Sequence, residues 1–158
     1  YITPMLLSII TINFNNLEGL VRTFESVPCE ALERWEWIII DGGSTDGSKE
    51  FIEQRADRLA YWCSEADKGV YNAMNKGVQH AKGQYCLFLN SGDHFYNSKS
   101  LSLALRAAEE SAAHGGCGII AFDLIIDNDP LCEKPQNSIL WNRLRELKKT
   151  NINWAAIS

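Results

Sequence analysis

The sequence predicts an α/β fold in which a mostly parallel sheet carries helices on both faces. Two observations lead to this prediction: short apolar runs alternate with segments of helical apolar spacing, and some of those runs are continuous. A continuous run such as Ile38, Ile39 and Ile40 is typical of a strand that is buried on both faces, as in parallel sheets. The alternation of strands and helices therefore favours repeated βαβ units in one sheet.

The elements follow in chain order from these two periodicities. Strands are predicted at residues 6–12, 35–40, 59–64, 85–89 and 119–126. A first helix is indicated by apolar residues that share one face, namely Leu17, Leu20, Val21 and Phe24. Pro28 ends this helix. Further helices are predicted at residues 46–56, 69–81, 98–113 and 140–149. The helix at 69–81 has a predicted core stripe of Val70, Ala73, Met74, Gly77, Val78 and Ala81.

Composition narrows the class of protein. At 158 residues, with 46% hydrophobic and 22% charged residues, the chain predicts a single domain over 1–158. A net charge of -5 without a basic stripe argues against a nucleic-acid partner. Five cysteines without a C-x-x-C pair favour a reducing cytoplasm, and no apolar run reaches the length of a membrane span. The uncapped ending at Ser158 predicts a truncated chain.

The most informative segment covers residues 37–48 and reads WIIIDGGSTDGS. Asp41 follows a buried strand, and in open α/β sheets ligands bind at the carboxyl ends of the strands. Gly42 and Gly43 leave room for a flat ligand beside this acid. The alternative interpretation is a tight turn followed by a helix N-cap at Ser44 or Asp46, and it leaves Asp41 unexplained.

A second acid, Asp93, follows the fourth predicted strand, so both acids are expected at one edge of the sheet. Carboxylates near a diphosphate suit Mg²⁺ or Mn²⁺, which take oxygen ligands. The sequence lacks G-x-G-x-x-G, the P-loop motif and a nucleophile elbow, which argues against dehydrogenases, P-loop NTPases and serine hydrolases. His80, His94 and His114 show no metal-ligand spacing.

Three ordered segments resemble family-two glycosyltransferases, which are inverting enzymes of GT-A fold. They read SIITINFNN, WIIIDGGSTDGS and SEADKGVYNAMNKGVQHAKGQYCLFLNSGD. The resemblance covers residues 6–96 and is closest to bacterial enzymes of exopolysaccharide, capsule and O-antigen synthesis. It implies a nucleotide-sugar-binding half at 6–96 and a partial acceptor-side region at 97–158.

The resemblance also implies the site residues. Those expected to bind the nucleotide sugar are Thr11, Ile12, Asn13, Asn15, Asp41, Asp67, Lys68, Asn75, Asn90 and Ser91. Asp41 would accept a hydrogen bond from the base or ribose, and Lys68 would meet a phosphate, with a solvated turn lysine as the alternative. Residues 90–93 fall where the family keeps its Asp-x-Asp motif. Because this chain reads N-S-G-D there, the predicted divalent cation, Mg²⁺ or Mn²⁺, depends mainly on Asp93.

The implied reaction moves a sugar from a nucleoside-diphosphate sugar to a hydroxyl of a saccharide or lipid-linked acceptor, with inversion. The general base is unassigned; Asp123 and Asp127 flank the fifth predicted strand and are the candidates, with strand-end turn residues as the alternative. The implied location is cytoplasmic, with peripheral contact at the inner face of the membrane through the basic helix 140–149 as an alternative to a solvated face.

Three other functions are alternatives to this one. The first is an inactive or truncated homologue that binds the nucleotide sugar without turnover. The second is a sugar nucleotidyltransferase, against which the absence of Gly, Arg and Lys in TINFNN argues. The third is a doubly wound domain of the response-regulator type, which would leave the three ordered motifs unexplained.

Overall fold

The computed structural model describes residues 5–28 and 34–115. These residues belong to the first of two compact units, Tyr1–Gly116. The predicted strand 119–126, the helix 140–149, Asp123 and Asp127 lie outside the described residues. The division of the chain into donor and acceptor regions stays a prediction.

The described residues alternate between strands and helices in the order that the sequence predicts. The strands are β1 (Leu7–Asn13), β2 (Trp35–Asp41), β3 (Tyr61–Ser64) and β4 (Tyr85–Phe88). The helices are α1 (Leu17–Ser26), α2 (Ser48–Glu53), α3 (Val70–His80) and α4 (Ser100–Ala113), with a 3₁₀ turn at Ala56–Arg58. No helix among the described residues is long and apolar enough to cross a membrane.

The second helix is shorter than predicted, and its start differs. It begins after Gly47, which adopts a left-handed φ of 94°, so the predicted N-cap at Ser44 or Asp46 is wrong. Asp46 instead joins two helix starts, because its carboxylate accepts hydrogen bonds from the backbone N–H groups of Leu17 and Ser48 at 2.7 and 3.1 Å. At the other end, Arg55 leaves helical geometry with a φ of -126°.

The sheet is entirely parallel within the described residues, with the order β3-β2-β1-β4. All residues of β1 are buried, because this strand lies between β2 and β4. The connection after β1 leads to β2 on one side, and the chain later returns to place β4 on the other side. The carboxyl ends of β1 and β4 therefore form a topological switch point, where ligands bind in open α/β sheets.

Each face of the sheet is covered by helices, as predicted. On one face Trp37 packs against Phe24 of α1, with ring centroids 4.5 Å apart, and Leu101 of α4 joins the same core. On the other face α3 packs through Ala73 and Gly77. A Cβ atom on Gly77 would lie 2.5 Å from Ile10, so the glycine permits this close approach.

The predicted core stripe of α3 is correct only in part. Ala73 and Gly77 are buried, whereas Val70 and Val78 are 57% and 46% exposed. The helix contacts the sheet mainly through a narrow line of small residues, and Met74 and Ala81 pack against the same core while only partly buried. Helical spacing alone therefore overstated the buried face.

A closed polar cluster holds the amino edge of the sheet. Glu36 is buried and lies opposite Ser8 in the β1–β2 register. The Ser8 hydroxyl donates to the Glu36 carboxylate at 2.7 Å and accepts a hydrogen bond from the Gly83 N–H at 2.9 Å. The backbone N–H of Lys82 donates to the same carboxylate. The turn between α3 and β4 is thereby fixed to the sheet.

Candidate functional site

The carboxyl edge of the sheet is organised around Asp41. This residue is fully buried at the end of β2 and lies between Asn13 and Ser64 in the register of the neighbouring strands. Asn13 Nδ2 donates to Oδ1 at 2.7 Å, and the Ser64 hydroxyl donates to Oδ2 at 2.6 Å. Ser44 donates to the carboxylate through its hydroxyl at 2.5 Å and its backbone N–H at 2.9 Å.

These hydrogen bonds keep Asp41 ionised. Burial raises the pKa of the Asp41 carboxyl, but the donors from Ser44, Ser64 and Asn13 together lower the pKa below its ordinary value. A carboxylate offers about four acceptor positions, and four protein donors use them. The predicted contact of Asp41 with a base or ribose stays a prediction, and it requires one of these donors to move.

The loops after β1 and β2 are joined to each other by short hydrogen bonds. The Ser44 hydroxyl accepts from the Asn15 N–H at 2.7 Å, and Asn15 Oδ1 accepts from the Thr45 N–H at 2.9 Å. Asn15 adopts a left-handed φ of 47°, which Asn tolerates better than most residues. The structure thus brings together Asn13, Asn15 and Asp41, and their predicted contacts with a nucleotide sugar stay predictions.

An exposed aromatic ring lies above this network. Phe14 is 64% exposed, although it directly follows a buried strand. A Cβ atom on Gly42 would lie 3.1 Å from the Phe14 ring and 3.0 Å from Asp67 Oδ2. Gly42 therefore allows an aromatic face and a carboxylate to lie side by side. Sequence reasoning missed Phe14, although an aromatic residue among polar ones at a strand end was a usable signal.

The segment before α3 contributes Asp67 but not all of its predicted neighbours. Asp67 Oδ1 accepts from the Gly69 N–H at 2.8 Å, and Gly69 has a φ of 107°. Lys68 is exposed, and its backbone N–H donates to Asn72 Oδ1 at 3.3 Å. Asn75 is exposed on α3, and the structure does not bring it into the hydrogen-bonded groups at this edge. Asn72 is the asparagine that orders this turn.

The turn at residues 90–93 lies beside the loop after β1. The Ser91 N–H donates to the Ile12 carbonyl at 3.0 Å, and Gly92 adopts a φ of 102°. Asp93 is exposed, and its carboxylate accepts from the Asn90 N–H at 3.2 Å. Asn90 Oδ1 is buried without a hydrogen-bond donor. Ser91 thus joins this turn to the end of β1 and to the loop that follows it, at the switch point.

The oxygens of this turn fit a divalent cation that is shared with a ligand. Among residues 5–28 and 34–115, no three His, Cys, Asp or Glu side chains gather into a metal site. Mg²⁺ is usually held by one or two carboxylates together with substrate phosphates. The exposed Asp93 carboxylate supplies one such ligand, and the buried amide oxygen of Asn90, which has no donor, is a second oxygen of the kind that hard cations take. A phosphate-bearing partner would supply the remaining ligands.

Two predicted site residues lie inside the sheet. Thr11 is fully buried, and its hydroxyl accepts a hydrogen bond from Trp37 Nε1 at 2.9 Å. The Ile12 side chain belongs to the core beneath α3. Their predicted role through backbone groups stays a prediction.

The fold is an α/β fold of the GT-A type. TarS of S. aureus, solved with UDP-GlcNAc, has a TM-score of 0.59 at 21% identity over 68% of this chain and 32% of TarS. A mannosyltransferase from Pyrobaculum calidifontis, solved with GDP-Man and Mn²⁺, has a TM-score of 0.58 at 18% identity over 66% and 34% of the two chains. These likenesses show the fold.

The chain belongs to glycosyltransferase family 2, because residues 8–157 match the family described as Glycosyl transferase family 2. It is 44% identical over 101 residues to an uncharacterized glycosyltransferase of Mycobacterium tuberculosis, covering 63% of this chain and 38% of that protein. A PGL/p-HBAD biosynthesis glycosyltransferase of Mycobacterium bovis is 31% identical over 123 residues, covering 75% and 46%.

TuaG of Bacillus subtilis is a further relative. It is named for teichuronic acid biosynthesis and is 33% identical over 97 residues, covering 60% of this chain and 38% of TuaG. The resemblance to glycosyltransferases of surface glycan synthesis is therefore confirmed. The chain spans less than half the length of these curated relatives.

Proposed function

We propose that this chain carries the donor-binding part of an inverting glycosyltransferase, which moves a sugar from a nucleoside-diphosphate sugar to an acceptor hydroxyl in bacterial surface polysaccharide synthesis. One observation supports this most strongly: Phe14 and Asp67 flank Gly42, the residue that directly follows Asp41. An exposed ring beside a carboxylate offers a nucleoside both a stacking face and a hydrogen-bond acceptor. The turn with Asp93 is bonded to the loop after β1 through Asn16 and Ser91, and a diphosphate would lie there.

Nucleoside recognition would use the first and second loops. The Phe14 ring presents an apolar face on which a base can stack. Asp67 Oδ2 would accept a hydrogen bond from the base or the ribose. The Asp41 network would fix the loop that carries Phe14, because Asn13 and Asn15 are both bonded to Ser44. Base stacking and loop rigidity thus depend on different residues.

Diphosphate recognition would use the turn after β4 and the segment before α3. Asp93 and Asn90 would hold a divalent cation, Mg²⁺ or Mn²⁺, which when bound offsets negative charge on the diphosphate leaving group. Lys68 is exposed and can meet a phosphate as a point charge. In an inverting transfer the acceptor hydroxyl attacks the anomeric carbon while a general base takes its proton. Asp123 and Asp127 stay the candidates for that base.

The names of the relatives support the biological setting. TuaG and the Mycobacterium bovis relative are named for teichuronic acid and PGL/p-HBAD biosynthesis. A saccharide or a lipid-linked saccharide is accordingly the proposed acceptor. The proposal includes a cytoplasmic location, with peripheral contact at the inner face of the membrane when the acceptor is lipid-linked.

Calorimetry with UDP, GDP and dTDP, each with and without Mn²⁺, tests the donor site. We expect one nucleotide to bind the wild type, and Asp93→Ala to remove the strengthening by Mn²⁺. Asp57→Ala is the matched control, because Asp57 is an exposed acid in the 3₁₀ turn. The proposal is wrong if the wild type binds none of the three nucleotides.

A second candidate function is nucleotide-sugar binding without turnover. The turn at 90–93 favours it, because an amide and a glycine stand where the family motif has acids, which leaves Asp93 as its one carboxylate. Donor hydrolysis separates the two candidates. Release of free sugar from the bound donor supports the enzyme, whereas tight binding with an intact donor supports the binding protein.

A further inference from the structure

Helix α1 presents a polar face to the segment that carries Asp93. Asn16 Nδ2 donates to the carbonyl and hydroxyl oxygens of Ser91 at 3.1 and 3.3 Å. The Ser26 hydroxyl accepts from the Phe95 N–H at 3.2 Å. Thr23 lies between these two residues on the same face, one position from the apolar Phe24. The helix is therefore attached to this segment at several points along its length.

The Thr23 hydroxyl makes the central contacts. Thr23 is fully buried, and its Oγ1 lies 2.7 Å from the Asp93 carbonyl oxygen and 3.2 Å from that of Asn90. The Gly92 N–H donates to the same Oγ1 at 3.0 Å. The Gly19 carbonyl of the preceding helical turn lies 3.0 Å away. A hydroxyl has one proton and two lone pairs, so Thr23 accepts from Gly92 and donates to one nearby carbonyl, of which that of Asp93 is nearest.

These contacts fix the backbone of the turn while its functional oxygens stay outside them. The Asp93 carboxylate is exposed, and Asn90 Oδ1 is buried without a donor. Gly92 adopts a φ of 102°. Because glycine is conformationally permissive, an unsupported turn would populate other conformations as well. The backbone of the turn therefore sets the position of both oxygens, and the contacts with Thr23 hold that backbone in place.

We propose that Thr23 is a positioning residue, which sets the Asp93 and Asn90 oxygens for a cation shared with a nucleoside diphosphate. This inference rests on the proposed function. Groups behind metal ligands commonly change metal affinity by tenfold or more when they are removed. In this proposal Thr23 contacts neither the nucleotide nor the cation, and it acts only through the backbone of the turn.

The test compares Thr23→Val, which removes the hydroxyl while keeping the shape, with Thr23→Ser, which keeps the hydroxyl. The probe is whichever of UDP, GDP or dTDP binds the wild type most tightly, titrated by calorimetry over a range of Mn²⁺ concentrations. In Thr23→Val we expect the Mn²⁺ concentration for half-maximal strengthening to rise about tenfold. Nucleotide binding without Mn²⁺ should be unchanged, and Thr23→Ser should match the wild type.

Two further variants separate positioning from general stability. Ser26→Ala removes a neighbouring hydroxyl that contacts Phe95, beyond the turn. We expect this variant to lower Tm about as much as Thr23→Val does and to leave the Mn²⁺ dependence unchanged. Asn16→Asp keeps the acceptor that caps Gly19 and removes the donor to Ser91. This variant should shift the Mn²⁺ dependence in the same direction, and it provides the test if Thr23→Val does not fold.

The outcomes distinguish this inference from the proposed function. If the wild type binds no nucleotide, the proposed function fails and the inference fails with it. If nucleotide binds but Mn²⁺ has no effect, the proposed cation and the positioning role are both wrong, while the nucleotide site stands. If Mn²⁺ strengthens binding and Thr23→Val responds to Mn²⁺ as the wild type does, only the positioning role is wrong.

Discussion

The two ends of strands β1 and β2 each carry a buried carboxylate that accepts a hydrogen bond from a side chain of β1. At the amino edge Glu36 accepts a hydrogen bond from Ser8, and at the carboxyl edge Asp41 accepts one from Asn13. Both pairs lie directly opposite each other in the parallel register. Each carboxylate is buried and also accepts a backbone N–H from a turn that must be held at that edge.

The surroundings of the two carboxylates differ. At the amino edge a Cβ atom on Gly83 would lie 2.5 Å from the Ser8 backbone nitrogen, so backbone fills the space. At the carboxyl edge the space around Gly42 is bordered by the Phe14 and Asp67 side chains, and Asn13 Oδ1 has no donor. A buried carboxylate at a strand end thus indicates an anchor, and the exposed groups around it indicate a site.

Removing each carboxylate should give the largest effects and is the strongest test of the difference between the two edges. Asp41→Ala leaves three side-chain donors unpaired, and we expect the free energy of unfolding to fall by about 4 kcal/mol, with loss of nucleotide binding. Glu36→Ala should lower it by about 2 kcal/mol and leave nucleotide affinity unchanged. Urea unfolding and calorimetry under native conditions check both. Equal losses of affinity would show that the edges do not differ in function.

A pair of glycine substitutions should give a smaller effect. Gly83→Ala forces a methyl group against backbone, and we expect a loss of about 2 kcal/mol of stability with normal nucleotide affinity. Gly42→Ala meets only side chains that can move, so we expect a small change in Tm and weaker nucleotide binding as Phe14 and Asp67 are displaced. Thermal unfolding and calorimetry give the two readouts. A larger Tm loss in Gly42→Ala would contradict the packing difference.

Acid should sharpen the comparison with a smaller effect. Because its pKa is lowered on folding, the Asp41 carboxyl contributes stability above its ordinary pKa of 3.8, and this contribution is lost as the pH falls through the lowered pKa. Asp41→Asn should be less stable than the wild type at pH 7, and the difference should narrow below pH 3.8. Tm values over this pH range check the prediction. A constant difference would mean that the Asp41 charge is not the cause.

The smallest effect on stability is expected at the exposed ring. Phe14→Ala removes a stacking face, so nucleotide binding should weaken about tenfold, while the free energy of unfolding changes by less than about 0.5 kcal/mol. Leu103→Ala is the control, because this side chain on α4 is also exposed, at 56%. Calorimetry and urea unfolding measure the two quantities. Unchanged affinity in Phe14→Ala would remove the nucleoside from this surface.

Element types and the parallel sheet were predictable because the apolar runs and helical stripes are strong signals. The position of Asp41 at a strand end was predictable for the same reason. Its four donors were not, because Ser64 reaches it from another strand through a register that the sequence does not display. Asn75 and Asn72 show the same limit: helix position was known, and helix rotation was not. Thr23 carried no signal, since a threonine inside a helix is ordinary.

The Asp41 network also determines when the site can exist during folding. Two of its four donors, from Asn13 and Ser64, lie 28 and 23 positions away in the chain, on the two strands that flank β2. Contacts of this separation form only after the intervening loops have closed, which makes parallel sheets slow to assemble. No partly folded form that lacks β1 or β3 can therefore present the site. A bound nucleotide should raise the temperature of global unfolding, and refolding should regain nucleotide binding only together with the whole sheet.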